Sequence, residues 1–243
     1  VDPPPYGKLS VNNKGQLIGN NGQQIQLRGV SLFFSQWNPG FFDAGVVRAI
    51  KCFYNSNIVR APIGTDVGGY MDNPKQALES AYNVIDASIK NGIYVLVDWH
   101  DTGSWNCNKS SDVQRFTNKA KEFFTIITKK YNGVPNVLLE FWNEPNCEWN
   151  IVKKYHIDVL NDVVVILGSP NVAKNIFDHV VGKNIMYTLH WYPLVNENVY
   201  YNYPKEIIKN ATALKRGLFI SEYGETDVYP LAAPIKYDAI YRL

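Results

Sequence analysis

The 243-residue chain contains no stretch approaching the ~18 consecutive apolar residues of a membrane span, so no membrane association is expected and the sequence predicts a soluble protein. Charge of one sign is also lacking. With 24 basic and 22 acidic residues the formal net charge is +2, and no basic stripe runs along any segment, which argues against a nucleic-acid partner. Cysteine is scarce: Cys52, Cys107 and Cys147 have no metal-ligand spacing, and an odd count permits one disulfide and one free thiol. There is no ligand cluster and no glycine-rich phosphate loop, so neither a metal nor any other cofactor is expected. No linker or low-complexity segment divides the chain, which therefore reads as a single domain over 1–243 and as a monomer. It opens Val1-Asp2-Pro3-Pro4-Pro5 without an initiator Met or signal peptide, as a processed mature terminus would. Two sequons, Asn108-Lys109-Ser110 and Asn210-Ala211-Thr212, add to the expectation of a secreted, extracellular protein.

What is present is apolar, aromatic and rhythmic. Hydrophobic residues make up 46% of the chain, enough for one substantial core. The turn Asn12-Asn13-Lys14-Gly15 separates Lys8-Leu9-Ser10-Val11 from Gln16-Leu17-Ile18 and predicts a hairpin within about 8–26. Thereafter short apolar runs alternate with helical spacing. The runs fall at 27–33, 57–63, 94–100, 136–142, 163–167, 185–192 and 217–223. Several are apolar almost throughout, as in Val95-Leu96-Val97, which suits strands covered on both faces. Between them, Val46-Val47, Ala81, Val84-Ile85 and Phe116, Ala120, Phe123-Phe124, Ile127 recur at helical intervals. Strand and helix in alternation predict an α/β protein of the (β/α)8 TIM-barrel type. Seven strands can be counted rather than eight, which leaves two edges exposed and predicts either a truncated C-terminus or a cap made by 230–243.

Barrels of this type carry their chemistry at the C-terminal strand ends. Those ends read Arg60, His100, Asn143 with Glu144, His190 with Tyr192, and Glu222. All six tryptophans, Trp37, Trp99, Trp105, Trp142, Trp149 and Trp191, fall at these tips or in the loops after them. Indoles gathered on one face suit stacking against the apolar faces of sugar rings. Two carboxylates across a barrel mouth supply the acid and the nucleophile or base of glycoside hydrolysis. His156 and His179, on segments read as helical, are assigned to packing, and Cys52 to a buried position on the first helix.

The stretches Leu27-Arg28-Gly29-Val30-Ser31-Leu32-Phe33, Ser35-Gln36-Trp37, Val59-Arg60-Ala61-Pro62, Gly68-Gly69-Tyr70, Val97-Asp98-Trp99-His100-Asp101, Trp142-Asn143-Glu144-Pro145, Tyr187-Thr188-Leu189-His190-Trp191-Tyr192 and Ser221-Glu222-Tyr223-Gly224 together resemble glycoside hydrolase family 5, specifically its cellulase branch. The resemblance implies a retaining endo-β-1,4-glucanase acting on a β-1,4-glucan, with mannan or xylan, or binding without cutting, as the alternatives. It assigns Glu144 as acid/base and Glu222 as nucleophile, with Arg60 lowering the pKa of Glu222, Tyr192 holding it, and a desolvated site keeping Glu144 protonated. Asn143 would bond the sugar 2-hydroxyl, while His100, His190, Trp37 and Trp191 would line the substrate cleft. Cys107 and Cys147, in loops after neighbouring strands, are candidates for a disulfide bracing the loops of Trp105 and Trp149. Against the family pattern, the helix between strands four and five reads short, at 153–160, the tryptophan that often follows the fifth-strand tip is absent, and the eighth-strand segment with its sugar-stacking tryptophan is missing; these departures predict weaker closure and weaker binding along one side of the cleft.

Overall fold

The computed structural model describes residues 3–102, 107–159, 164–168, 174–191 and 197–224. Asn12 makes the first turn: its Oδ1 accepts from the backbone N–H groups of Lys14 and Gln16, and β1 (Ser10–Val11) pairs antiparallel with β2 (Leu17–Ile18). Seven strands follow, β3 (Gly29–Ser31), β4 (Ile58–Gly64), β5 (Tyr94–His100), β6 (Val137–Glu140), β7 (Val165–Leu167), β8 (Ile185–Trp191) and β9 (Gly217–Tyr223). They form one parallel sheet in chain order. Between them run α1 (Ala44–Tyr54), α2 (Pro74–Lys90), α3 (Ser110–Lys130), α4 (Trp149–Val159) and α5 (Glu197–Leu214). This is the TIM-type barrel expected, and no described strand pairs with the outer edge of β3 or of β9.

Local chemistry sets the helix ends. Asp43 Oδ1 accepts from the Gly45 N–H at 2.7 Å to cap α1, and Asn55 leaves that helix in the left-handed region at φ 50°. Pro74 opens α2, where its missing N–H costs nothing.

Strand parity then builds two cores. The outward residues Val59, Ala61, Ile63, Val95, Val97, Trp99, Leu139 and Phe141 pack against Ala81, Val84, Ile85, Phe116, Phe123 and Phe124 of the helices. The inward residues change character along each strand. At the lower end Ile58, Tyr94, Leu96, Leu138, Ile166 and Met186 form an apolar plug closed by Leu9 and Leu17 of the hairpin. Each of those two leucines contributes about 1.5–3 kcal/mol of burial. Toward the C-terminal ends the same interior faces carry Arg60, Asp98, His100, Glu140, Thr188 and His190, all 8% exposed or less.

Several details differ from the sequence reading. Helix α4 runs Trp149–Val159, longer and earlier than expected, because Glu148 O accepts from Ile151 and Val152 and starts the turn there. His179 lies beyond a short 3-10 turn (Lys174–Phe177) and faces Arg216, so it is not helical. Cys52 is exposed, since the buried stripe of α1 is set by Val47 and Ile50. Strands β4 and β5 are buried at every residue, whereas β3 and β9 are partly open, with Ile220 41% and Tyr223 60% exposed. Trp105, Tyr192, the tip at 169–171 and the segment 230–243 lie outside the described residues.

Candidate active site

Arg60 stands at the centre of the polar end of the barrel. It projects inward from β4, 4% exposed, and its guanidinium reaches four strands or their tips. Nε donates to Glu140 Oε2 at 2.6 Å, Nη1 to Glu222 Oε1 at 2.8 Å and to Ser31 Oγ at 3.3 Å. Nη2 donates to Asn143 Oδ1 at 2.7 Å and pairs with Asp98 Oδ2 at 2.9 Å. Burial alone would lower the arginine pKa; the charges of Asp98, Glu140 and Glu222 outweigh it and raise it, so the group stays cationic.

Asp98 and His100, two residues apart on β5, share the inner face, and His100 Nδ1 lies 2.6 Å from Asp98 Oδ2. With that nitrogen directed at a carboxylate, Nε2 turns to Asn143 Nδ2 at 3.5 Å. Because Arg60 occupies the Asn143 carbonyl oxygen, the Asn143 amide N–H groups are directed to donate.

Glu144 sits beyond the end of β6 with its side chain 61% exposed. Its Oε1 lies 2.6 Å from His190 Nδ1, and that hydrogen bond is the main reason its pKa falls below the usual carboxylate value. The expectation was a partly desolvated site that keeps Glu144 protonated; here the His190 hydrogen bond outweighs desolvation and the shift runs the other way. His190 takes the complementary direction. Burial would lower its pKa, but the hydrogen bond to Glu144 and the charges of Glu222 and Glu144 raise it. The two opposite shifts make the imidazole, rather than the carboxyl, the favoured carrier of a proton held by the pair.

Glu222 projects from β9, its side chain 17% exposed. Its Oε2 is 3.7 Å from His190 Nδ1. One ligand atom from each of Glu144, His190 and Glu222 lies within 4.8 Å of the others, so among the described residues this trio could also hold a metal ion. Arg60 and His190 already supply counter-charge there.

The tryptophans divide, which corrects the reading of six indoles on one face. Trp37 is 51% exposed and continues through Phe34, 4.9 Å away between ring centroids, to His100, 4.2 Å further. Trp191, ending β8, is 5% exposed and offers little open ring. Trp99 and Trp142 are core residues. Parity turns Trp99 outward onto Tyr70 and Phe123, and Trp142 packs on Phe116 and Tyr155 while its Nε1 donates to Asp101 Oδ2. Trp149 lies in the first turn of α4 and donates to the Asp178 carbonyl. The loops after β5 and β6 are joined by the Cys107–Cys147 disulfide, Cα to Cα 5.5 Å.

Four interior residues without an assigned role in the sequence complete the site: Asp98, Glu140, Thr188 and Ser221. A polar residue in step with inward apolar ones, as in Leu138 then Glu140, was the available signal. Ser221 had none, because its orientation depends on an irregularity in β9. His190 pairs with Glu222 directly after Leu189 pairs with Ile220, so Ser221 is the extra residue of a bulge.

Comparison with known proteins assigns the chain to a family. The family model described as Cellulase (glycosyl hydrolase family 5) matches residues 18–237. The chain is 31% identical over 241 residues to Endoglucanase A of Butyrivibrio fibrisolvens, covering 91% of this chain and 53% of that protein. It is 31% identical over 233 residues to Endoglucanase Z of Dickeya dadantii (strain 3937), covering 89% and 51%. The catalytic domain of Thermobifida fusca endoglucanase Cel5A (E5), solved in complex with cellotetraose, superposes with a TM-score of 0.81 at 26% identity, covering 97% of this chain and 79% of that one. The chain spans about half the length of the curated relatives it matches.

Proposed function

Because this chain belongs to the cellulase family, glycosyl hydrolase family 5, we propose that it hydrolyses internal β-1,4-glucosidic bonds of a cellulose-like glucan, with retention of configuration and no cofactor. One observation carries the reading: carboxylate oxygens of Glu144 and Glu222 approach within 4.8 Å at the mouth of a barrel. Retaining glycosidases set their two carboxyls about 5 Å apart, whereas inverting enzymes leave room for a water between them.

In this mechanism Glu222, oriented by Arg60, attacks the anomeric carbon through a carboxylate oxygen. As the glycosidic bond breaks, Glu144 delivers the proton shared with His190 to the leaving oxygen, which departs as a neutral alcohol. Water then enters, Glu144 takes its proton, and the oxygen displaces Glu222 from the sugar. Asn143 donates to the 2-hydroxyl, a contact that tightens in the transition state. Trp37 offers an open ring for a sugar face at one side of the cleft. Secretion as a monomer belongs to the same proposal. The oxidised pair Cys107–Cys147 supports it, since disulfides persist in oxidising compartments, and accumulation of the protein outside the producing cells tests it.

Turnover of soluble cellulose, mannan and xylan by the purified chain, beside Glu144→Gln and Glu222→Gln, tests the assignment. The wild type is expected to release reducing ends fastest from cellulose and to lower its viscosity early, as an endo-acting enzyme does. Each variant should lose at least about 10²-fold, the lower range for removing an acid/base group. Preference for mannan or xylan would keep the chemistry and change the polymer; equal behaviour of all three proteins would leave binding without cutting.

A further inference from the structure

The mechanism above uses two carboxyls, yet a third lies beneath them. Glu140 is 0% exposed, four residues before Glu144 on the inner face of β6. Its Oε2 accepts from Arg60 Nε at 2.6 Å; its Oε1 accepts from Ser221 Oγ at 2.7 Å and Thr188 Oγ1 at 3.1 Å. Thr188 also contacts Ser221 Oγ. Ser221 has a single hydroxyl proton. With that proton directed at Glu140, its contact with His190 Nε2 at 3.1 Å has one sense: the imidazole N–H donates to the serine oxygen. The opposite ring nitrogen, Nδ1, then faces Glu144 Oε1 at 2.6 Å.

We propose that Glu140 and Ser221 are positioning residues for acid/base catalysis: Glu140 orients the Ser221 hydroxyl, which fixes His190 with Nε2 protonated, so that Nδ1 stores and returns the proton used by Glu144. The proposal rests on the hydrolase reading and names how its proton is held. The same arrangement of buried acceptor, oriented imidazole and working group recurs in hydrolytic triads, here with a serine hydroxyl interposed. A proton leaves His190 Nδ1 for Glu144 Oε1 as Glu144 protonates the departing oxygen. When water attacks the glycosyl ester of Glu222, its proton returns through Glu144 to Nδ1, and the Glu222 carboxylate is regenerated.

The bulge in β9 makes this possible. In a regular strand Ser221 and Glu222 would point to opposite faces. With Ser221 as the extra residue, it reaches Glu140, Thr188 and His190 while its neighbour Glu222 reaches Arg60. The groups acting on His190 are Glu144 from the loop after β6, Glu222 from β9, Arg60 from β4 and, through Ser221, Glu140 from β6; Asp98 and His100 on β5 lie behind Arg60 and Asn143.

The test separates proton delivery from nucleophilic attack by changing the leaving group. Cellulose requires a protonated leaving oxygen, whereas 2,4-dinitrophenyl β-cellobioside departs as a stable phenolate without one. Ser221→Ala is expected to lower kcat on soluble cellulose by about 10- to 100-fold, within the range of acid/base contributions. Its burst of dinitrophenolate should stay within about three-fold of the wild type. The alkaline limb of kcat/KM on cellulose should move to lower pH, and nitrogen NMR should show His190 losing its fixed tautomer. Ser221→Thr, which keeps the hydroxyl, should restore both. Glu140→Gln should repeat the Ser221→Ala pattern where it folds. An equal loss on both substrates, or a cellulose pH profile and His190 tautomer unchanged in Ser221→Ala, would overturn the proposal. A wild type that cleaves neither substrate would instead defeat the hydrolase reading.

Discussion

The Arg60 guanidinium meets three carboxylates, and no lysine could do the same. Its planar fork sends Nε to Glu140, Nη1 to Glu222 and Nη2 to Asp98, each within 2.9 Å, while the side chain remains 5% exposed. Removing it would leave Asp98 and Glu140 buried without their cation. Arg60→Met is therefore expected to destabilise the fold by about 3–5 kcal/mol, the cost of breaking a buried pair, read as a lower urea midpoint. Arg60→Lys keeps the charge and loses the fork, so it should fall between wild type and Arg60→Met in stability while still losing activity. At this scale the sequence was most legible for Asn143, Glu144 and Glu222, polar side chains at or just past strand ends; Arg60, expected at a tip, is instead the third residue of β4, and only its inward direction brings it to the site. It was least legible for tryptophan. Trp99 and Trp142 have the same local neighbours in sequence as a sugar platform would, and only the direction of the side chain makes them core.

At the scale of elements, two irregular connections shape the cleft. The Ser221 bulge is one; the Cys107–Cys147 disulfide is the other, closing 40 residues between the loops after β5 and β6. The chain-entropy model assigns a loop of that size about 4 kcal/mol as an upper figure. Cys107→Ser is expected to lower the thermal midpoint measured by calorimetry and to weaken cellulose turnover less than it weakens stability, since the bond joins two loops and supplies no group to the proposed reaction. A midpoint unchanged by the substitution would show that the loops hold without the bond. Strand limits were readable to within two residues for β4, β5, β8 and β9, where runs rich in apolar residues stand between segments of helical spacing. Helix α4 was misjudged because its opening, Trp149-Asn150-Ile151, carries no capping pattern and depends on backbone bonds to Glu148.

For the whole molecule, protonation sets opposing limits on stability. His156 is buried on α4, its Nε2 2.6 Å from the Gly168 carbonyl, and burial pushes its pKa down to about 4. Unfolding releases an imidazole that binds a proton near its ordinary value of 6.5, so stability falls as pH drops from there toward 4. The full effect is roughly 3 kcal/mol at 1.36 kcal/mol per unit. His190 acts in reverse: its raised pKa gives stability fully present below the ordinary histidine value and lost as pH rises through the folded value. The thermal midpoint should therefore peak near neutrality. His156→Gln, which can still donate to Gly168, should flatten the acid limb; an acid limb as steep as before would refute the assignment.

The periodicities of the chain were enough to determine a parallel barrel of alternating strands and helices, a hairpin ahead of it, and the set of polar tips that would meet at one end. Those are local properties: period two or 3.6 and the residue at each strand end are written in neighbouring positions. Tertiary structure alone decided which tips touch. It turned Trp99 and Trp142 into the helix layer, set Glu144 against His190, and gathered Glu140, Ser221 and Thr188, up to 81 residues apart, around one buried oxygen. Each of those outcomes depends on strand register and on a one-residue bulge, which shift a side chain from one face of the sheet to the other without altering the composition around it.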